Sequence, residues 1–322
     1  MRGAAKLTRT AGRSKVEGTR YPSDMQWHGV IPAITTPFKP DLSVDADLLV
    51  KQVDALVRAG CAGIVALGSL GEGGSLSFDE KKAVLRLCRE ALTGRAPLVA
   101  GVAALTTAEA VRLAELGKEA RCDGLMILPP YVYRGDWRET RAHFDAVVGA
   151  TPLPCMLYNN PIAYGTDVLP EQVLDLAATL PNLVAVKESS ADVRRVSSLR
   201  ALLGDRLAIL VGVDDLVVEA VQAGATGWIA GLADALPAEA VRLFDLAASG
   251  RIAEARALYE WFLPLLRLDT VPKFVQLIKL VQQETGLGSE TVRPPRLPLE
   301  APERGAVVEL VRYALARRPA ID

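Results

Sequence analysis

The sequence predicts a (β/α)8 barrel, the TIM-barrel class of α/β fold, carrying a C-terminal helical extension. Eight short apolar runs recur between residues 29 and 231. Helical stretches follow them, with apolar residues repeating at spacings of three and four. The runs themselves are continuously apolar, as strands of a parallel sheet covered by helices must be. Eight such pairs is the number that closes a barrel. A doubly wound open sheet is the alternative, but the GxGxxG fingerprint expected after its first strand is absent and "TTPFKPD" stands there instead.

In chain order the runs are "GVIPAIT" from Gly29, "GIVAL" from Gly63, "PLVAGV" from Pro97, "GLMIL" from Gly124, "PCMLYN" from Pro154, "LVAVKES" from Leu183, "LAILVG" from Leu207 and "GWIAG" from Gly227. The first helix illustrates the connecting elements: Leu48, Leu49, Val53, Leu56 and Val57 share one face, and Gly60 stops it. The barrel is expected over residues 27–249. Residues 250–322 read as helices around "AEARALYEWFLPLLRL", "VPKFVQLIKLVQQETG" and "PERGAVVELVRYALARR", joined through the proline-rich "VRPPRLPLEAP". They are expected to pack on the barrel or on another subunit. "YEWFLPLLRL" holds more apolar residues than one helix face needs, which predicts an exposed stripe that meets a partner copy.

Composition narrows the function classes. Half of the 322 residues are hydrophobic, ample for a large core. A net charge of −1 gives no general reason to expect nucleic acid or an anionic membrane as partner. With no run of about 18 uninterrupted apolar residues, no membrane span is expected. Cys61, Cys88, Cys122 and Cys155 lie 27, 34 and 33 residues apart, and only His28 and His143 accompany them. That is a poor ligand set for zinc and no disulfide framework, so the thiols are expected to be small buried side chains in a reducing cytoplasm, with no metal. In residues 1–26, Arg2, Lys6, Arg9, Arg13, Lys15 and Arg20 face only Glu17 and Asp24. Lacking periodicity and the apolar core of a signal peptide, this segment is expected to be a disordered or arm-like extension.

The chemistry collects where strands end. Lys187 follows four apolar residues at the carboxyl end of the sixth strand, the side on which barrel active sites lie. Alternation puts it on the face of Ala185 and turns Glu188 away. Burial disfavours the ammonium form and frees an amine able to attack a ketone and form a Schiff base. A structural lysine paired with a loop carboxylate is the competing account. Tyr158 ends the fifth strand, next to the sixth in a closed barrel, and could relay protons to an adduct or serve as a core tyrosine. The loop "LGSLGEGGSL" after the second strand offers Gly68, Ser69 and further glycines as a cradle for a small carboxylate, or only as a turn into the next helix. It lacks the lysine of a phosphate loop.

Together with "PAITTPF", "VKES" and "VRPPRLPL", these pieces make the chain resemble the dihydrodipicolinate synthase / N-acetylneuraminate lyase family from about Gly29 to Arg317. The resemblance implies a (β/α)8 barrel with C-terminal helices, usually a homotetramer, acting on 2-oxo acids as a class I aldolase or lyase without an external cofactor. It assigns Lys187 as the Schiff-base lysine and Tyr158 as the proton-relaying tyrosine. Ser69 becomes the first of two hydroxyl residues in a GTTGE-like loop that receives the substrate carboxylate, and Gly212 a glycine whose backbone faces the substrate.

The departures bear on the substrate. Leu70 occupies the second hydroxyl position, and Ala163 the place of the arginine that clamps the aldehyde substrate in the synthases. The tyrosine that synthases lend across a subunit interface falls at Val132, flanked by Tyr131 and Tyr133. A lysine-biosynthetic synthase is therefore not expected. "YNNPIAYG" and "VKESSADVRR" look most like members that deaminate 1-pyrroline-4-hydroxy-2-carboxylate to 2-oxoglutarate semialdehyde. A pyruvate-dependent aldolase of the 4-hydroxy-2-oxoglutarate or sugar-acid type, and a non-catalytic barrel that binds a 2-oxo acid, are the alternatives. In each case the partner is a small 2-oxo acid or cyclic imino acid, with choice among them set around Leu70, Ala163, Tyr164, Tyr131 and Tyr133.

Overall fold

The computed structural model describes residues 25–131 and 133–320. All eight expected runs form strands: β1 (Gly29–Pro32), β2 (Ile64–Ala66), β3 (Leu98–Val102), β4 (Gly124–Ile127), β5 (Cys155–Asn159), β6 (Leu183–Glu188), β7 (Ala208–Val211) and β8 (Gly227–Ala230). They pair in parallel in the order β1-β8-β7-β6-β5-β4-β3-β2. A bridge between Ala33 and Val65, with Ala62 N–H donating to Val30 O at 2.8 Å, joins β1 to β2 and closes the barrel.

Helices α1 (Ala46–Arg58), α2 (Phe78–Leu92), α3 (Thr107–Glu119), α4 (Trp137–Gly149), α5 (Pro161–Tyr164), α6 (Pro170–Thr179), α7 (Arg194–Leu203), α8 (Val217–Gln222) and α9 (Pro237–Ala248) connect or follow the strands. Their starts are chemically marked. Asp45 accepts from Leu48 N–H at 3.1 Å, and Ser77 with Glu80 and Asp136 with Glu139 form reciprocal caps. Gly60, at φ +92°, turns the chain out of α1 as expected. Beyond the barrel come α10 (Ile252–Leu266), α11 (Phe274–Glu284) and α12 (Ala301–Leu315). No helix among the described residues is long and apolar enough to cross a membrane.

Strand alternation produces two apolar layers. Ile31, Val65, Val99, Met126, Met156, Ala185, Leu210 and Ile229, one from each strand, fill the barrel, and the buried Trp27 packs among them. Residues of opposite parity, such as Ile64, Leu98, Leu157, Val186 and Trp228, pack under the helices. Two positions beyond Met156 and Ala185 on the inner face stand Tyr158 and Lys187, so the inner layer turns polar at the carboxyl ends of β5 and β6.

The apolar excess of "YEWFLPLLRL" is absorbed within the chain, which corrects the expectation of an exposed stripe. Phe262, Leu265 and Leu266 are buried. Trp261 stacks on Phe262 and donates Nε1–H to Ala314 O on α12 at 3.0 Å, and the Tyr259 hydroxyl donates to Asp215 O. α10 lies between the barrel helices and α12, so it needs apolar residues on two faces. Most of the basic arm expected over residues 1–26 falls outside the described residues.

Candidate active site

Lys187 stands directly opposite Tyr158 in the β5–β6 ladder, and its Nζ lies over the phenol ring, 4.0 Å from the centroid. Both side chains are buried. Glu188 points outward as alternation requires: it accepts from Asn159 Nδ2 at 3.1 Å and Ser190 N–H at 2.7 Å, beside an ion pair of Arg195 with Asp167. Lys187 is thus free of its sequence neighbour.

The end of β7 makes room for the lysine. A methyl group on Gly212 would stand 2.2 Å from Lys187 Cε and 2.1 Å from Ser189 Oγ. Gly212 therefore matters first for the space it leaves, which the backbone-contact role expected from the resemblance did not include. Gly212→Ala is expected to displace the Lys187 side chain and lower kcat/KM by about 10²-fold or more, at a stability cost of roughly 1–3 kcal/mol. Steady-state kinetics and a thermal melt check this; wild-type kinetics in the variant would contradict the packing.

Burial moves the Lys187 ammonium below its usual range, against opposing pulls from Asp269, Tyr164 and Asp214. Asp214 is fully buried and accepts from Trp228 Nε1–H (2.8 Å), Gly231 N–H (3.1 Å) and Leu232 N–H (2.7 Å). Burial outweighs those donors and pushes its carboxyl up to about 6. The lysine therefore has ionisable neighbours other than Glu188.

On the other flank, the hydroxyl of Tyr158 receives Asn160 Nδ2–H at 3.1 Å. Its ring meets Tyr164 edge-on at 5.8 Å, and Tyr164 in turn meets Tyr131 at 5.7 Å. The Tyr164 hydroxyl is hydrogen-bonded to Ser69 Oγ. Burial raises both Tyr158 and Tyr164 above the usual phenol range, so near neutral pH they are proton-bearing groups. Ser69, Tyr164, Tyr158 and Lys187 thus stand in series from the β2 loop to β6, linked by one hydrogen bond, one edge-on ring contact and one ammonium–ring contact.

The glycine loop after β2 is tightly built. Thr36 Oγ1–H, from "PAITTPF", donates to Gly71 O at 2.7 Å. A Cβ on Gly73 would fall 2.2 Å from Leu67 O, and one on Gly71 2.8 Å from Ile34 O, whereas Gly68 and Gly74 have room for one. Leu70 is buried in the layer under the helices and brings no proton-bearing group. Glu72, at φ +52°, reaches into a fully buried ion pair with Lys279 on α11 at 2.6 Å.

Ala163 is exposed on α5, whose residues Pro161, Ile162, Ala163 and Tyr164 include no cation. Arg134 comes to the same edge from the β4–α4 loop: a Cβ on Gly165 would be 2.7 Å from its Nε. Tyr133 is 58% exposed and is not drawn into the chain of hydroxyls. Val132 lies outside the described residues.

Sequence reasoning missed Asp269. It ends the 3-10 turn Arg267–Asp269 after α10, and its carboxyl lies against Gly231 at the end of β8. No local pattern marks a lone carboxylate between two helices as a barrel-mouth residue. The four cysteines are buried, and burial pushes Cys61, Cys88 and Cys122 up to about 12, so they remain unreactive thiols. Among the described residues no group of three or more His, Cys, Asp or Glu side chains is arranged to hold a metal ion.

The sequence pattern of the Dihydrodipicolinate synthetase family matches residues 26–314. A 4-hydroxy-tetrahydrodipicolinate synthase of Xanthomonas axonopodis pv. citri is 36% identical over 302 residues, which cover 91% of this chain and 96% of the relative. A putative dihydrodipicolinate synthetase from Pseudomonas aeruginosa superposes with a TM-score of 0.86 at 31% identity, covering 90% of this chain and all of its own. A prophage protein of the dihydrodipicolinic acid synthase family from E. coli K12, solved in complex with pyruvate, superposes with a TM-score of 0.85 at 26% identity, over 90% of this chain and 99% of its own.

Proposed function

The chain belongs to the Dihydrodipicolinate synthetase family, a family of lysine Schiff-base lyases and aldolases, and from that premise we propose that Lys187 attacks a cyclic 2-imino acid, with 1-pyrroline-4-hydroxy-2-carboxylate as the substrate. The observation that carries the nucleophile is the buried Lys187 over Tyr158, in space that only the missing side chain of Gly212 provides. Addition of the amine to C2 and loss of the ring amine open the pyrroline. Tyr158 moves protons between these nitrogens, and Ser69 with Tyr164 orients the substrate carboxylate at the β2 loop. Loss of a C3 proton gives an enamine that expels the 4-hydroxyl. Hydrolysis of the two resulting imines then releases ammonia and 2-oxoglutarate semialdehyde. Substrate plus one water equals products, with no oxidant or reductant required.

The observation that favours this substrate over aspartate semialdehyde is α5, which carries Ala163 and no cation. A synthase pocket without that arginine lacks a charge-assisted contact worth about 1.5–3 kcal/mol, roughly ten- to a hundredfold in binding. Two other readings have support of their own. Arg134 at Gly165 could receive the distal carboxylate of 4-hydroxy-2-oxoglutarate in an aldolase, and the names of the relatives favour the synthase. Assays with 1-pyrroline-4-hydroxy-2-carboxylate, 4-hydroxy-2-oxoglutarate, N-acetylneuraminate, and pyruvate plus aspartate semialdehyde separate them. The expected result is efficient ammonia release from the first and negligible synthase activity. Efficient condensation of pyruvate with aspartate semialdehyde would overturn the choice of substrate.

A homo-oligomer, a tetramer by resemblance, belongs to the same reading. With α10 covered, its support moves to Leu105 and Tyr133, exposed on the loops after β3 and β4, and to Ile162, exposed on α5 after β5.

A further inference from the structure

The mouth of the barrel receives one carboxyl group from outside the strand–helix repeat. Asp269 is half-buried, and its side chain lies across the backbone of Gly231: a methyl group there would stand 2.2 Å from Oδ1 and 2.7 Å from Cγ. The N–H of that same Gly231 donates to Asp214. The neighbouring Arg267 is turned toward Asp215, at 3.6 Å. Among the described residues Asp269 itself has no hydrogen-bond or ion-pair partner, although its charge acts on both Lys187 and Tyr158. A carboxyl group with no hydrogen-bond or ion-pair partner among the described residues thus stands at the end of β8, at the same mouth of the barrel as Lys187 at the end of β6.

We propose that Asp269 is the general acid that protonates the hydroxyl leaving the Lys187-bound substrate, an assignment that rests on the deaminase reading. Hydroxide is a poor leaving group, so the enamine needs a proton donor at the C4 oxygen. Leu70 has none to give, and Tyr158 is engaged with Lys187 and Asn160 on the far flank. A substrate held at Lys187 with its carboxylate toward the β2 loop has C4 free to point to β8.

The step balances. The nitrogen lone pair forms the C2=N⁺ bond, the C2=C3 electrons move to C3=C4, and the C4–O bond breaks. The oxygen takes the Asp269 proton and leaves as water, and an Asp269 carboxylate remains beside the new iminium. That carboxylate recovers a proton from C5 when the aminomethyl carbon tautomerises. The surroundings suit an acid: burial with Asp214, Asp234 and Asp215 holds the Asp269 carboxyl well above the usual carboxylate range, while the Lys187 ammonium pulls it down. Once Lys187 is a neutral enamine nitrogen, that downward pull is gone at the moment the proton is needed.

The test compares leaving groups. Wild type and Asp269→Asn are assayed with the 4-hydroxy pyrroline and its 4-fluoro analogue, whose fluoride leaves with less need of a proton. Asp269→Asn should lower kcat for the hydroxyl substrate by about 10²–10³-fold, change the fluoro reaction by less than about tenfold, and still label at Lys187 with pyruvate and borohydride. It should also lose the fall in kcat as pH rises through the Asp269 titration. Equal slowing of both leaving groups, or none, overturns the assignment. Should the variant fail to fold, wild type decides alone: a solvent isotope effect on kcat for hydroxyl but not fluoride loss supports the acid, and equal effects overturn it. A wild-type enzyme that labels with pyruvate but expels no 4-substituent overturns the deaminase reading and this assignment together; normal wild-type turnover matched by Asp269→Asn overturns the assignment alone.

Discussion

Lys187→Ala should form no borohydride-trapped adduct with pyruvate or any other 2-oxo acid, and its turnover should fall by at least roughly 10⁴-fold, since a covalent route has no substitute nucleophile. The contrast is Tyr158→Phe, which keeps the ring under Nζ but loses the hydroxyl that Asn160 engages. That variant should label slowly and turn over poorly, by about 10²–10⁴-fold, because binding survives and proton transfer does not. The labelling rate also has a defined pH dependence. The nucleophile is the neutral amine, and burial lowers the Lys187 pKa from its usual 10.5. Labelling should therefore rise with pH and level off below 10.5, the plateau marking complete deprotonation. Mass spectrometry of the reduced adduct reads both site and rate. An adduct on another lysine, or an active Lys187→Ala variant, would return Lys187 to a structural role.

The parts of this site that the sequence exposes share one property: they depend on neighbours in the chain or in the strand ladder. A parallel strand buried on both faces must be apolar throughout, so each of the eight runs is visible, and its carboxyl end is marked where polarity begins. Lys187 and Tyr158 follow from that rule together with the adjacency of β5 and β6. What the sequence hides depends on distant chain segments. Asp269 reaches β8 only because α10 turns back over the barrel, and Lys279 meets Glu72 across 207 residues. No periodicity encodes such a meeting. The misread stripe in α10 has the same origin, because a helix between two layers and a helix with a free apolar face have similar local compositions. Ala163 shows the converse: the residue is legible, but the arrival of Arg134 at the adjoining Gly165 from another loop is not.

Lys279→Met should give the largest loss of stability of any single change considered, about 3–5 kcal/mol. Lys279 Nζ donates to Glu72 at 2.6 Å and Thr291 O at 2.7 Å, lies 4.4 Å from the centroid of Phe38, and is fully buried with its partner. Burial pushes the Lys279 ammonium down to about 8 even with Glu72 beside it, so at neutral pH Lys279 still carries most of its charge. Methionine fills the stem but leaves Glu72 with Arg293 N–H at 3.1 Å and Arg296 at 3.9 Å as its remaining partners. The destabilisation comes mainly from that stranded carboxylate, not from loss of the pair's own attraction, which desolvation largely offsets. The sign can be checked by removing the charge as well: Glu72→Gln combined with Lys279→Met should be more stable than Lys279→Met alone, recovering at least about half of the loss. Because Glu72 lies in the loop that holds Ser69 against Tyr164, the single variant should also raise KM more than it lowers kcat, and the double variant should reverse part of that rise. Thermal melts and steady-state kinetics at one temperature measure both effects. A double variant no more stable than the single would mean that the pair is held for its own attraction, and an unchanged KM would uncouple the β2 loop from α11.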